Sequence, residues 1–504
     1  MTNSQRIIIN TIAQYTRTII NVCLSLYSTR LILSALGQND FGVYSVVAGV
    51  VTMLSFVTNA LVITTQRYLS YHHGRNDLSQ VRKVFGNSWL LHLFIGIVVV
   101  AILSSIGPWI TQNFLNIEDA RRDAALFVYF AAVAMVLLSF ITAPIRALFI
   151  ARENIVYTSF VEVLDGVLKL SIAILLSKIT YDHLIAYSGL LTGISIFNLL
   201  AFAVYAAIKF PEFHLPKLQE LDKEYMKGLS NFAGWTIYST GCVIARNQGI
   251  SVVLNLFYGT IVNSAYGIAM QVSGAVQFVS TSIINAMNPQ IMKAEGAGDR
   301  NKMIKLCEYE SKYSFLLLAL LAIPLIAEMK TILELWLDDV PEHAIMFCRL
   351  ILAAALCDLI SIGWTTANQA IGKIKVYNIV FYTMKLLVIF MAWWCLRKGL
   401  PINSVMWSYV AIEFICSLLR LPLMKYIADI KMMPFFKNVF LRIVGPLFAM
   451  IIACYASVTQ IEATWRLALT FPVSIIIGLL AIWTTALSKH EKQYIKNSLQ
   501  QLKK

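Results

Sequence analysis

The sequence predicts an all-α polytopic membrane protein of 14 transmembrane helices, arranged as two six-helix lobes plus two extra C-terminal helices. Three observations carry that prediction. The chain has 504 residues, of which 58% are hydrophobic and only 13% charged, too little charge to cover a soluble protein of this size. Apolar runs of about 20 residues recur from end to end, each long enough to cross a hydrocarbon core of about 30 Å. They are continuous rather than alternating at period two, which excludes a β-barrel. The third observation is an internal repeat. At an offset of 222 residues Gly37 maps to Gly259, Tyr44 to Tyr266, Gly74 to Gly296, Asp77 to Asp299, Lys83 to Lys305 and Leu115 to Leu337. Val156-Tyr157 matches Val376-Tyr377 at offset 220. Six spans separate the copies, so both halves enter the membrane in the same direction, with a substrate site expected between them.

In chain order the expected spans are 8–35, 42–66, 88–111, 123–145, 154–177, 184–208, 228–256, 262–287, 313–337, 344–368, 376–396, 403–421, 438–458 and 467–487. The first is long and polar at its start, the pattern of a retained anchor rather than a cleaved signal. The lobes are joined by "KFPEFHLPKLQELDKEYMKG", a polar, Pro-containing stretch that is amphipathic in its second half and suited to the membrane interface. The domain division is therefore an N-terminal lobe over 1–212, a cytoplasmic linker over 213–227 and a C-terminal lobe over 228–432. The extra pair follows over 433–488, and a basic cytoplasmic tail over 489–504.

The net charge of +14 reads as topology rather than nucleic-acid binding. Lys and Arg gather in the termini and the even-numbered connections, for example Arg75, Arg82 and Lys83, or Lys293, Arg300, Lys302 and Lys305. The opposite connections hold six: Arg121, Arg122, Lys178, Arg397, Lys398 and Arg466. The positive-inside rule places both termini in the cytoplasm, where the basic tail can touch anionic lipid. None of the eight cysteines forms a CxxC pair and nearly all lie in apolar runs, so neither a disulfide framework nor a zinc site is expected. No GxxxxGK[ST] occurs, so no ATP site is expected, and no cofactor is called for.

Polar residues inside spans ask for partners. In the first span Asn10, Gln14, Arg17 and Asn21 follow at steps of 4, 3 and 4, one face of a helix. The second span adds Asn59 and Gln66; in the other half Arg246 and the stripe Gln277, Thr281 and Asn285 repeat the theme. Such faces line a wet cavity or form interhelical hydrogen bonds. Arg30, near the outer end of its span, either joins the cavity or snorkels to the interface. In the fifth span Glu162, Asp165 and Lys169 share a face; they are either a coupling carboxylate site or a self-neutralised structural pair. Lys385 occupies the place equivalent to Asp165, compatible with a pairing across the lobes. The longest external connection, "QNFLNIEDARR", is short for the sugar chemistry of a membrane polymerase, and a non-enzymatic transporter is the better class.

The stretches "STRLILSALGQNDFGVYSVVAGVVTMLSF", "TTQRYLSYHHGRNDLSQVRKVF", "ARNQGISVVLNLFYGTIVNSAYGIAMQVSGAV" and "LELWLDDVPEHAIMFCRLILAAALCDLIS" resemble Wzx-type polysaccharide (O-antigen) flippases, oligosaccharide flippases of the MOP/MATE-like exporter superfamily. The similarity is to lipopolysaccharide-biosynthesis flippases of Bacteroides-like bacteria in particular, and it covers nearly the whole chain. The resemblance implies a MATE-like fold in the bacterial inner membrane. It implies translocation of undecaprenyl-diphosphate-linked oligosaccharide from the cytoplasmic to the periplasmic leaflet by alternating access, for O-antigen or capsule, with the polymerase machinery as a further partner. Arginine's planar fork suits a diphosphate, so Arg17 and Arg246, one per lobe, with Arg30, are the expected phosphate ligands; the Asn, Gln and Thr stripes suit sugar hydroxyls. The rival readings are a MATE-like cation-coupled drug antiporter and a membrane glycosyl polymerase.

Overall fold

The computed structural model describes residues 3–52, 55–109, 111, 119–214, 221–337, 340–460, 463–489 and 491–493. The middle of the expected linker (215–220), most of the 112–122 connection and the tail from 494 onward lie outside the described residues. Among the described residues there is no strand, and sixteen α-helices follow one another. They are α1 (Asn3–Thr52), α2 (Ser55–Gly74), α3 (Leu78–Trp109), α4 (Arg122–Ala151), α5 (Ile155–Leu176), α6 (His183–Lys209), α7 (Lys223–Gly296) and α8 (Arg300–Ala327). After them come α9 (Met329–Trp336), α10 (Ala344–Leu359), α11 (Gly363–Ile371), α12 (Ile374–Arg397), α13 (Asn403–Ala428), α14 (Met432–Phe435), α15 (Leu441–Gln460) and α16 (Ala463–Ala481).

Among the described residues, nine helical segments are individually long and apolar enough to cross a membrane, and α10 with α11, bent by 45°, makes a tenth as a broken span. The other expected spans also fall on helices: 42–66 on α1 and α2, 154–177 on α5, 228–256 on α7 and 403–421 on α13. Two long helices each take in two spans. Gly37 breaks α1 with φ 75° and ψ 170°, a conformation that a side chain would disfavour. In α7 Tyr266 Oη donates to Asn247 O at 3.3 Å and Ser251 Oγ to Asn263 Oδ1 at 2.7 Å. Nineteen residues of straight helix would separate Asn247 from Tyr266 by about 28 Å, so the chain doubles back between them. The helix that carries the start of the ninth expected span, α8, begins thirteen residues before that span, at Arg300. The polar turns of α8 find partners within the protein: Lys312 pairs with Glu491, and Glu308 accepts from Asn438 Nδ2 at 3.0 Å.

The chain forms two compact units. The first comprises Met1–Thr240 with Met292–Asp299. Its core has a mainly aliphatic end built on Leu103, Ala125, Leu176 and Leu184 around Tyr129 and an aromatic end where Tyr157 stacks on Tyr205 at 3.9 Å and Phe149 meets Phe202 and Phe210 edge-on. Beside the aromatic end, Glu212 is met by Arg152 at 2.5 Å and by His73 at 3.2 Å. Burial pushes its carboxyl up, but the two basic partners outweigh burial and hold it at about 2 rather than 4.5. The second unit comprises Gly241–Ile291 and Arg300–Lys504. There α15 and α16 pack along α8. Buried Glu328, just beyond α8, accepts from Arg466 Nε at 3.0 Å and Thr470 Oγ1 at 2.9 Å, while Glu491 takes Lys312 and Tyr313 at the middle of α8.

Within the first unit the end of α7 crosses the end of α2. A Cβ on Gly74 would strike the Lys293 carbonyl, and one on Gly296 would strike the Tyr71 carbonyl. Tyr71 and Lys293 are 222 residues apart, as are Gly74 and Gly296, so the crossing is reciprocal under the sequence repeat. Lys293 also pairs with Glu153.

Two outcomes are expected. Gly74→Ala and Gly296→Ala each force backbone apart at this crossing and destabilise by about 1–3 kcal/mol, read as a lower thermal midpoint of the purified protein; an unchanged midpoint would show that the crossing yields freely. The Glu212 pairing contributes stability above pH 4.5 that is lost as pH falls toward about 2. The acid-induced drop in midpoint should therefore be smaller in Glu212→Gln than in the parent.

Candidate functional site: a charged cavity in the first unit

Helices α1, α2, α4, α5 and α6 enclose a cavity of about 490 Å³. Its wall is polar: Asn21 from α1, Asn59 from α2, Thr142 and Arg146 from α4, the Glu162–Asp165–Lys169 face of α5, and Asn198 from α6. Close approach of α1 to α5 is permitted by Gly166, where a Cβ would stand 2.7 Å from Asn21 Oδ1.

Two carboxylates organise the wall. Glu162 offers one oxygen to Arg17 and the other to Arg146, while Asn21 Nδ2 donates to its backbone carbonyl at 3.2 Å. Asp165 is 2.7 Å from Lys169 Nζ and accepts from Asn198 Nδ2 at 2.7 Å. Three cations therefore face two carboxylates. Arg146 and Lys169 are 48% and 50% exposed, so water screens the group and its pairs are individually weak.

The second unit holds a cluster of the same count. Glu413 takes Arg246 and, at 2.9 Å, Lys385; Asp358 takes Lys385 at 3.0 Å and Arg420 at 2.7 Å. Around Glu413 this cluster is dry, Arg246, Lys385 and Glu413 being 7%, 6% and 3% exposed, while Asp358 at its edge is 30% exposed. The Arg246 guanidinium also sits over the Tyr409 ring at 4.7 Å and that of Arg420 over Phe381 at 4.5 Å. Lys385 thus meets its carboxylates inside its own unit, as Asp165 meets its cation in the other.

The remaining sequence-predicted residues disperse. Asn10 is buried and donates to Glu153 O at 3.0 Å, at the α4–α5 turn. Gln14 and Gln66 are buried away from the cavity wall, and Arg30 is exposed. Gln277, Thr281 and Asn285 lie on an exposed face of α7, with Gln277 Nε2 donating to Ser273 Oγ at 2.6 Å and Thr281 Oγ1 to Gln277 O at 2.9 Å. Of the predicted set, the cavity brings together Asn21, Asn59, Glu162, Asp165 and Lys169, with Arg17 reaching it through Glu162. Sequence reasoning missed Arg146, Asn198, Glu413 and Arg420. Charges within the apolar run 403–421 were a signal for the last two, and Asn198 and Arg420 stand 222 residues apart.

No family model matches the chain. The crystal structure of a MATE in the straight conformation superimposes with TM-score 0.72 at 13% identity, over 84% of this chain and 96% of that one. The fold is that of a MATE transporter. The same MATE fold is shared with an outward-facing multidrug resistance MATE family transporter of the MOP superfamily, at TM-score 0.71 and 13% identity, with 84% and 96% covered. It is shared too with a MOP superfamily transporter from Pyrococcus furiosus, described as having a binding pocket of reverse polarity, at TM-score 0.72 and 12% identity with the same coverage. In sequence, the uncharacterized membrane protein EpsK of Bacillus subtilis is 23% identical over 372 residues, 72% of each chain.

Removing one partner should separate the two clusters. Glu413→Gln leaves Arg246 without a carboxylate in a dry site, Lys385 keeping Asp358, and is expected to cost about 3–5 kcal/mol. Asp165→Asn, in the wet cavity, is expected to cost about 0–1 kcal/mol. Thermal unfolding of the two purified variants checks the contrast, and equal losses would contradict it.

Proposed function

We propose that the protein is an inner-membrane flippase that moves undecaprenyl-diphosphate-linked oligosaccharide from the cytoplasmic to the periplasmic leaflet by alternating access, for O-antigen or capsule synthesis. The observation that carries this reading is the excess of exposed cation in a polar cavity. Arg146 and Lys169 reach into about 490 Å³ beside amide and hydroxyl side chains that suit sugar. Guanidinium and ammonium groups bind phosphate oxygens through charge-assisted hydrogen bonds, and the lipid tail needs no polar cavity at all. The MATE fold supports a transporter rather than an enzyme. Both termini in the cytoplasm, as the distribution of Lys and Arg favours, would leave the basic tail at the leaflet where the substrate is made. The surface-polysaccharide polymerase machinery is the proposed downstream partner.

A second reading, cation-coupled antiport of drugs, is favoured by Glu162 and Asp165, two carboxylates in the same cavity. The base excess around them argues against a cationic cargo.

In proteoliposomes carrying a fluorescent polyprenyl-diphosphate sugar, Arg146→Gln and Arg17→Gln should each slow flipping at least about tenfold, the equivalent of one lost charge-assisted contact. Unchanged flipping in both, or Asp165-dependent drug efflux without flipping, would remove the assignment.

A further inference from the structure

A second cavity, of about 390 Å³, lies on the α1 side of Glu162, lined by Arg17, Thr18, Asn21, Val22, Ser25 and Glu162. It shares Asn21 and Glu162 with the 490 Å³ cavity. The Arg17–Glu162 bridge therefore stands between the two. We infer that Glu162 is an internal counter-anion that an incoming diphosphate displaces from Arg17 and Arg146, joining the two cavities into one. The inference rests on the anionic-substrate reading above and deepens it.

Three features carry it. First, Glu162 spends one oxygen on each arginine, the geometry in which a phosphate would take the same two groups. A diphosphate has oxygens to spare for Lys169 beyond them. Second, the exchange is feasible because the site is wet: Glu162, Arg17 and Arg146 all retain access to water, so a freed carboxylate is solvated rather than stranded. The dry cluster around Glu413 offers no such exchange, since releasing its carboxylate would leave it buried without a partner. Third, the bridge joins α1 to α5 while the second arm joins α4 to α5. Ligand arrival thus trades a contact made inside the unit for one made to the ligand, and it loosens α5 as it does so.

The test is binding of farnesyl diphosphate to the purified full-length protein by calorimetry, with farnesol as the uncharged control and inorganic diphosphate as the control without a lipid. Glu162→Gln removes the competitor and should bind farnesyl diphosphate about tenfold more tightly than the parent, about 1.4 kcal/mol. Glu162→Asp keeps the charge but is one methylene too short to span both arginines, and a smaller gain in the same direction is expected. It carries the test should the Gln variant fail to elute as a folded species. An equal gain for inorganic diphosphate supports displacement by the phosphate groups alone; a gain confined to farnesyl diphosphate supports displacement by the lipid-linked form. If the parent binds farnesyl diphosphate and neither variant binds more tightly, displacement is wrong while the anionic site stands. If parent and variants bind no better than they bind farnesol, the anionic site itself falls, and the displacement with it.

Discussion

A charge in the middle of a bilayer must be answered within a few ångströms. Each unit of this protein answers its charges internally. In the first unit Glu162 is the node: it fastens α1 and α4 to α5 in one residue. In the second, Glu413 and Asp358 do the same work for α7, α10, α12 and α13. Apolar side chains alone would choose neighbours less sharply, since lipid offers the same apolar surface.

The two nodes use corresponding helices, the first, fourth, fifth and sixth of each half, with opposite polarity on the fifth: carboxylates on α5, a lysine on α12. They differ in water. The unit 1 set lines a cavity and is open to water, whereas in the unit 2 set Arg246 and Arg420 are buried against Tyr409 and Phe381. Buried ion pairs contribute specificity more readily than net stability, which suits a scaffold; screened pairs exchange partners, which suits a binding wall.

The helices were legible because a membrane span is a property of one segment: about 20 apolar residues and no more. Among the described residues all fourteen expected runs fall on helices, and α8 extends beyond its expected run on the N-terminal side, where Lys312 is paired with Glu491. The cavity was legible only in part. Asn10 and Asn21 sit on the same face of α1, yet one bonds the α4–α5 turn and the other faces the cavity, because α5 meets α1 along its length and different levels of the helix meet different neighbours. Periodicity reports the face and is blind to the depth. Arg146 was missed for a related reason: at the margin of an apolar run it reads as a loop cation, and only the packing of α4 on α5 turns it toward Glu162.

The crossing of α2 with the end of α7 has a different kind of consequence. Residue 71 meets 296 while residue 293 meets 74, and each pair exchanges places under the 222-residue shift. A patch that fits its own duplicate is isologous, the geometry of a twofold dimer interface. A half-length chain bearing it would already carry both sides of its own contact. Two tandem copies would inherit that contact intact, and a change to either glycine would then have to be accommodated by the other copy.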